Sequence, residues 1–163
     1  MQNNSFLLRY FSTSLKWTLT CYFFLVSLGF GVALLQSYER YQLNHQKTIE
    51  YYLGNPEEGE MALAKPLGYL VPTTHVHSFM MPVIFLTVWI ALQGVSLGES
   101  SKKIIISGGL LSMLIYNAAP YLLRYQSPKY VHAFTVGGIG LFLFFFIPVL
   151  LIYLELFKSS QKK

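Results

Sequence analysis

Four long apolar runs separated by short polar breaks set the plan of the chain. Trp17 to Leu35 is nineteen residues without a charge, close to the roughly 20 that a helix needs to cross a bilayer. Comparable runs cover about 75–97, 104–123 and 130–157. Gly98 to Lys103 and Arg124 to Lys129 are brief connections, and short links make consecutive helices antiparallel neighbours. The pattern predicts an all-α membrane protein. It forms a single domain over 1–163, built as an up-down bundle of four transmembrane helices with spans of about 17–35, 75–97, 104–123 and 130–157. Trp17, Tyr38 and Tyr41 flank the first span, as amphipathic rings do at the two membrane interfaces.

The one long loop, 37–74, is rich in Tyr and Glu. Gln42 to Leu53 suits a short helix, Gly54 to Glu60 a turn, and Met61 to Val71 a segment lying on the membrane surface. Together they predict a cap over one end of the bundle. Thr73 or Thr74 is the expected N-cap of the second span, and Pro82 is expected to kink that span. Arg9, Lys16, Lys102, Lys103, Lys158, Lys162 and Lys163 gather at one side, against Arg40, Lys47, Lys65, Arg124 and Lys129 at the other. An excess of basic residues marks the cytoplasmic side. The expected topology is therefore multi-pass in a bacterial inner membrane, with both termini cytoplasmic and an extracytoplasmic cap loop.

Composition sharpens this. The chain is 53% hydrophobic, 17% aromatic and 12% charged, where a soluble globule carries about 25% charged residues. The net charge of +5 comes from short flanks rather than a basic face, so it is a topology signal and nucleic acid is not an expected partner. Cys21 is the single cysteine, which excludes an intrachain disulfide, covalent c-type haem and a Cys-based zinc site. No small-residue cleavage site follows the first span, which is expected to stay as an anchor.

The candidate chemistry lies with the histidines. His75, His77 and His132 fall at matched depth at the outer ends of spans two and four. Those two spans face each other diagonally in an up-down bundle. Ionisable side chains at the mouth of an apolar segment point to a cavity, a partner or a cofactor. The favoured cofactor is one b-type haem near the outer face, held by His77 and His132 on opposite faces of the macrocycle, with Arg124 as a partner for its propionates. His75, about 200° round the helix from His77, would face the loop or head groups. A metal site of His77, His132 and Met81 is the alternative, copper being suited to a thioether. The three histidines can equally be interfacial residues with no cofactor. Gly29, Gly31, Ala118, Ala119, Gly137, Gly138 and Gly140 would leave room for a planar group, or serve helix packing. Asn117 and Ser112 are expected to bridge helices, and Glu155 to pair with Lys158.

Glu50-Tyr51-Tyr52-Leu53-Gly54, Lys65-Pro66-Leu67, Thr74-His75-Val76-His77, Met81-Pro82 and Ala119-Pro120-Tyr121-Leu122-Leu123-Arg124-Tyr125 resemble a group of small bacterial four-span membrane proteins. That resemblance implies an integral inner-membrane protein and no particular activity. Histidines on spans two and four are also similar to membrane b-type cytochromes, although those place four histidines on two helices. Two functions are therefore expected to compete. One is electron transfer through a haem, with quinone or another redox carrier as partner. The other is a non-catalytic accessory or assembly subunit of a larger membrane complex. Neither is a stand-alone enzyme.

Overall fold

The computed structural model describes residues 7–41, 44–55 and 63–158, without the side chains of residues 40 and 41. The turn expected at 56–60 lies outside the described residues. Five helices follow in order: α1 (Thr13–Tyr41), α2 (His45–Leu53), α3 (Leu67–Gln93), α4 (Glu99–Tyr125) and α5 (Val131–Leu156). α1, α3, α4 and α5 are long and apolar enough to cross a membrane. With 26 to 29 residues each, and a rise of about 1.5 Å per residue, they exceed the roughly 30 Å hydrocarbon layer. The protein is a four-helix membrane bundle with α2 as a cap across one end.

The helices outrun the apolar runs that predicted them, most of all in α3. It begins at Leu67 with Pro66 at the N-cap, eight residues before His75. Thr73 and Thr74 are therefore not caps, and residues 67–71 form the first turn of α3 rather than a separate segment. Pro66 can open the helix because the first turn needs no partner for its amides. Pro72 and Pro82 both lie inside, removing the hydrogen bonds to the carbonyls four residues earlier, which membrane helices tolerate where neighbours and hydroxyls compensate. The Thr73 hydroxyl donates to the Tyr69 carbonyl at 3.2 Å in that stretch. α4 likewise starts at Glu99 rather than at 104: Lys102, expected in a connection, is buried in its first turn and donates to Gln93 O at 3.1 Å and Glu99 Oε1 at 3.2 Å.

Two apolar clusters hold the bundle, one towards each end. The larger, around Phe23, Phe85, Val88, Leu92, Phe145, Val149, Ile152 and Leu156, fills the half nearest the α3–α4 turn. The smaller joins Tyr52 of α2 to Leu70, Leu123 and Val131. α4 and α5 approach closely through glycine: a Cβ at Gly137 would lie 2.8 Å from the Tyr116 amide nitrogen, and Cβ atoms at Gly140 and Gly108 would meet Ser112 and Phe144. Gly137, Gly140 and Gly108 thus serve helix packing rather than room for a planar group. Ser112 bonds within its own helix, donating to Gly108 O at 2.7 Å.

At the α3–α4 turn the segment before α1 closes the bundle. Leu7 and Leu8 are buried, and the Leu8 amide donates to Gly94 O at 2.9 Å. Glu155 pairs here rather than with Lys158. Its Oε2 accepts from the Ser96 amide at 3.2 Å and hydroxyl at 2.5 Å, and its Oε1 lies 3.5 Å from Arg9 Nε. Being 4% exposed, the carboxylate is turned into the bundle end, while Lys158 is exposed.

Candidate functional site

Between the two clusters the packing opens. A cavity of about 320 Å³ sits beneath α2, and its wall on α3 is one helix face: Leu70, Thr73, Thr74, His77 and Met81. These positions recur at the three- and four-residue spacing that stacks side chains on one side of a helix. Gln36 and Ser37 of α1 and Tyr116 and Asn117 of α4 complete an enclosure of mixed polar and apolar surface. Asn117 was expected to bridge helices. Instead its Nδ2 donates to Met113 O on its own helix at 2.9 Å, which leaves its carbonyl oxygen available to the cavity.

The cap is fastened at several points. Asn44 starts α2 by accepting from the Gln46 amide at 2.8 Å, and Gly54 ends it at φ 83°, where a side chain would be strained. The Tyr52 ring stacks on Phe134 at 5.2 Å, and the Tyr51 and Tyr69 hydroxyls share a short hydrogen bond. Lys65 Nζ sits 4.6 Å and 5.1 Å from the centres of the Tyr51 and Tyr69 rings, a cation–π arrangement. At the other end of α2, His45 Nε2 lies 2.9 Å from Thr135 Oγ1.

A second space of about 400 Å³ shares Ala33, Ser37, His77, Met81 and Tyr116 with the first, and continues as an apolar groove between α1 and α3 along Val26, Phe30, Met80, Ile84 and Phe85. A third, of about 410 Å³, lies between α1 and α5, lined by Leu34, Tyr38, His45, Ile139 and Phe142 among others. Ser37 and Tyr116 border all three. Gly29 faces open space, with nothing within 4 Å of a Cβ built there. Among the described residues no Lys, Arg or Glu lines any of the three.

The structure does not gather the sequence-picked residues at one point. His77 is half-buried on the cavity wall, its ring 6.5 Å from that of Tyr116, and Met81 is one turn along the same face. His75 is exposed, its ring 6.1 Å from Phe79. His132 is exposed and meets His45 edge to face at 4.7 Å, and it borders none of the three spaces. Arg124 gives its Nε to Lys65 O at 3.1 Å and lies over the Tyr125 ring. Matched depth was not enough, because a histidine's azimuth on its helix decides what it faces, and α2 takes up the side of α5 that carries His132. Haem iron takes axial donors from the two faces of its ring, whereas His77 and Met81 approach from one. Among the described residues no group of three or more His, Cys, Asp or Glu is placed to hold a metal ion.

What sequence reasoning missed is the tyrosine and amide lining. Tyr51, Tyr52 and Tyr69 fall in or next to the Tyr-rich loop, and the adjacent Tyr116 and Asn117, polar within a span, are the available signal.

The sequence matches a protein family described as a transmembrane helical domain over residues 42–163, which takes in α2 to α5 and leaves α1 outside. No curated protein and no solved structure matches the chain. With that match running over more than half of the sequence and onto three of the four candidate spans, the chain is an integral, multi-pass membrane protein belonging to the Aq_1264_TM family.

Proposed function

We propose that this protein binds an amphipathic, lipid-soluble molecule, seating its polar head beneath α2 and its apolar part in the grooves beside α1. One observation carries this: the polar cavity and the apolar groove share a wall, at Ser37, His77, Met81 and Tyr116. Concave, mostly apolar sites with a few convergent polar groups are the usual form of a small-molecule site. His77 is the central polar contact, since its ring nitrogens have no hydrogen-bond partner among the described residues while its face is turned to both spaces. The Thr74, Gln36 and Asn117 side chains supply further donors and acceptors.

The basic residues at the α3–α4 turn and chain ends favour a cytoplasmic location for that side, with α2 outside, in a bacterial inner membrane. A binding protein of this size acts by presenting or sequestering its ligand, as an accessory component of a membrane assembly would. A b-type haem in the same place would have to be held by His77 and one further donor.

Purification of the full chain in mild detergent, followed by solvent extraction and mass spectrometry, tests the proposal. The expected result is one amphipathic species near one per chain, reduced by His77→Ala and Gly29→Phe but unaffected by His132→Ala. A preparation that carries only the detergent and a random sample of membrane lipid, identical in all three variants, overturns it. A b-type visible spectrum after dithionite reduction would replace it with the haem reading.

A further inference from the structure

Resting on the cavity assignment above, we infer that the bound molecule is a two-chain lipid with an uncharged, hydroxyl-bearing head, of the diacylglycerol or glycosyl-diacylglycerol type. The first ground is the shape of the space. One polar cavity of about 320 Å³ and two separate apolar grooves of about 400 and 410 Å³ meet at Ser37 and Tyr116. One groove runs down the α3 side of α1 and the other down its α5 side. A molecule with one head and two tails straddling α1 fills all three. A one-tailed molecule leaves one groove to bulk lipid.

The second ground is charge. The head cavity is bounded by Gln36, Ser37, Thr74, His77 and Asn117 with no Lys, Arg or Glu among the described residues that line it. Lys65 lies over the rings of Tyr51 and Tyr69, which line the cavity, and is engaged by them. A phosphate moved here from water would lose its hydration with no opposing charge among the described lining residues, which is strongly unfavourable. Hydroxyls suit the mixture of donors and acceptors, because each can give one hydrogen bond and accept others. The third ground is access. Leu34 and Met80 on the α1–α3 groove and Ile139 and Phe142 on the α1–α5 groove are exposed, so both grooves open sideways to the bilayer and a lipid can enter without leaving it.

The test is native mass spectrometry of the full chain in detergent with four defined probes, a diacylglycerol, a glucosyl diacylglycerol, a phosphatidylglycerol with the same acyl chains and a one-tailed menaquinone analogue, and with a monoacylglycerol as the one-chain control for the groove variant. The expected result is retention of one or both uncharged two-chain lipids at least about tenfold over the other two, a difference of about 1.4 kcal/mol. The first two probes separate a bare glycerol hydroxyl from a sugar as the head. Gly29→Phe, which fills the α1–α3 groove without meeting protein atoms at its Cβ, is expected to lower diacylglycerol retention about tenfold while leaving a monoacylglycerol unchanged. Preference for phosphatidylglycerol, preference for the quinone analogue, or equal loss of one- and two-chain probes in Gly29→Phe overturns the two-chain assignment while leaving a binding cavity in place. Retention of none of the probes overturns the cavity assignment itself.

Discussion

α1 and α5 are both long apolar helices in one bundle, yet 6% of the apolar stretch of α1 is buried inside the protein against 39% of that of α5. α5 is locked to α4 at Gly137, which lies against the Tyr116 backbone, and at Gly140, which lies against the Ser112 side chain. α1 meets the core between Thr20 and Phe30: Phe23 is buried, Phe30 stacks on Phe145 at 4.7 Å, Tyr22 OH meets Thr87 Oγ1 at 2.8 Å, and Tyr153 OH donates to Thr20 O at 3.0 Å. Beyond Phe30 it lines cavities instead of packing. Apolarity in a membrane helix therefore says little about packing, because lipid serves the same surface as well as protein does. α3, α4 and α5 form the body, and α1 is a wall hinged at one end.

The sharpest way to break this contrast is to add the same methyl group to each helix. Gly137→Ala puts a Cβ 2.8 Å from the Tyr116 backbone nitrogen, which neither helix can avoid without moving. The expected loss is about 1–3 kcal/mol, as for overpacked cores, read as a lower midpoint in detergent denaturation. Gly29→Ala meets nothing within 4 Å and replaces the poorer helix former, so no destabilisation is expected. Equal losses at the two positions would mean that α1 packs as tightly as α5.

A comparable effect is expected where the wall is closed off at its base. Glu155→Ala removes the acceptor for the Ser96 amide and hydroxyl and the counter-charge facing Arg9. Leaving buried donors unsatisfied costs about 1–3 kcal/mol. Because the segment at Leu7–Phe11 is held at the same place, the variant is also expected to be cut faster by protease before Thr13. An unchanged cutting rate would show that Leu8 and its bond to Gly94 hold the segment unaided.

How much of this was legible in the sequence differs between the same two regions. Length and lack of charge announced every span, and the Tyr-rich loop announced a cap. The ends of the spans were hidden because Pro66, Pro72 and the Glu99–Lys103 stretch look like loop, whereas a helix entering a membrane keeps turning through the polar interface. The candidate site was half visible. His77 and Met81 share a face by spacing alone, and that face lines the cavity. Pairing His77 with His132 needed the rotation of α5 and the position of α2, which depend on contacts such as Tyr52 on Phe134 and His45 against Thr135, and neither pair is adjacent in sequence. The glycines in α1 and α5 read alike along the chain. Only packing separates Gly137, pressed against Tyr116, from Gly29, which faces open space.

The smallest expected effect is also the most local. Tyr22→Phe and Tyr153→Phe each remove one hydroxyl tying α1 to the core. A hydrogen bond of this kind is worth about 0.5–1.5 kcal/mol net, and Phe keeps the ring that packs beside it. Neither change should unfold the bundle, since Phe23 stays buried in the larger cluster and keeps α1 seated on α3 and α5. What should change is the spread of α1 positions. Spin labels at Leu35 and at Phe79, both exposed, would report a broader distance distribution in the double variant than in the parent protein. The effect should be larger there than between labels at Leu111 and Ile139, exposed positions on α4 and α5. If the two pairs broaden alike, the hydroxyls hold the whole bundle, and the division between body and wall fails. If only the α1 pair broadens, the freedom of the wall is set by two hydroxyls, and so is the width of the grooves on either side of it.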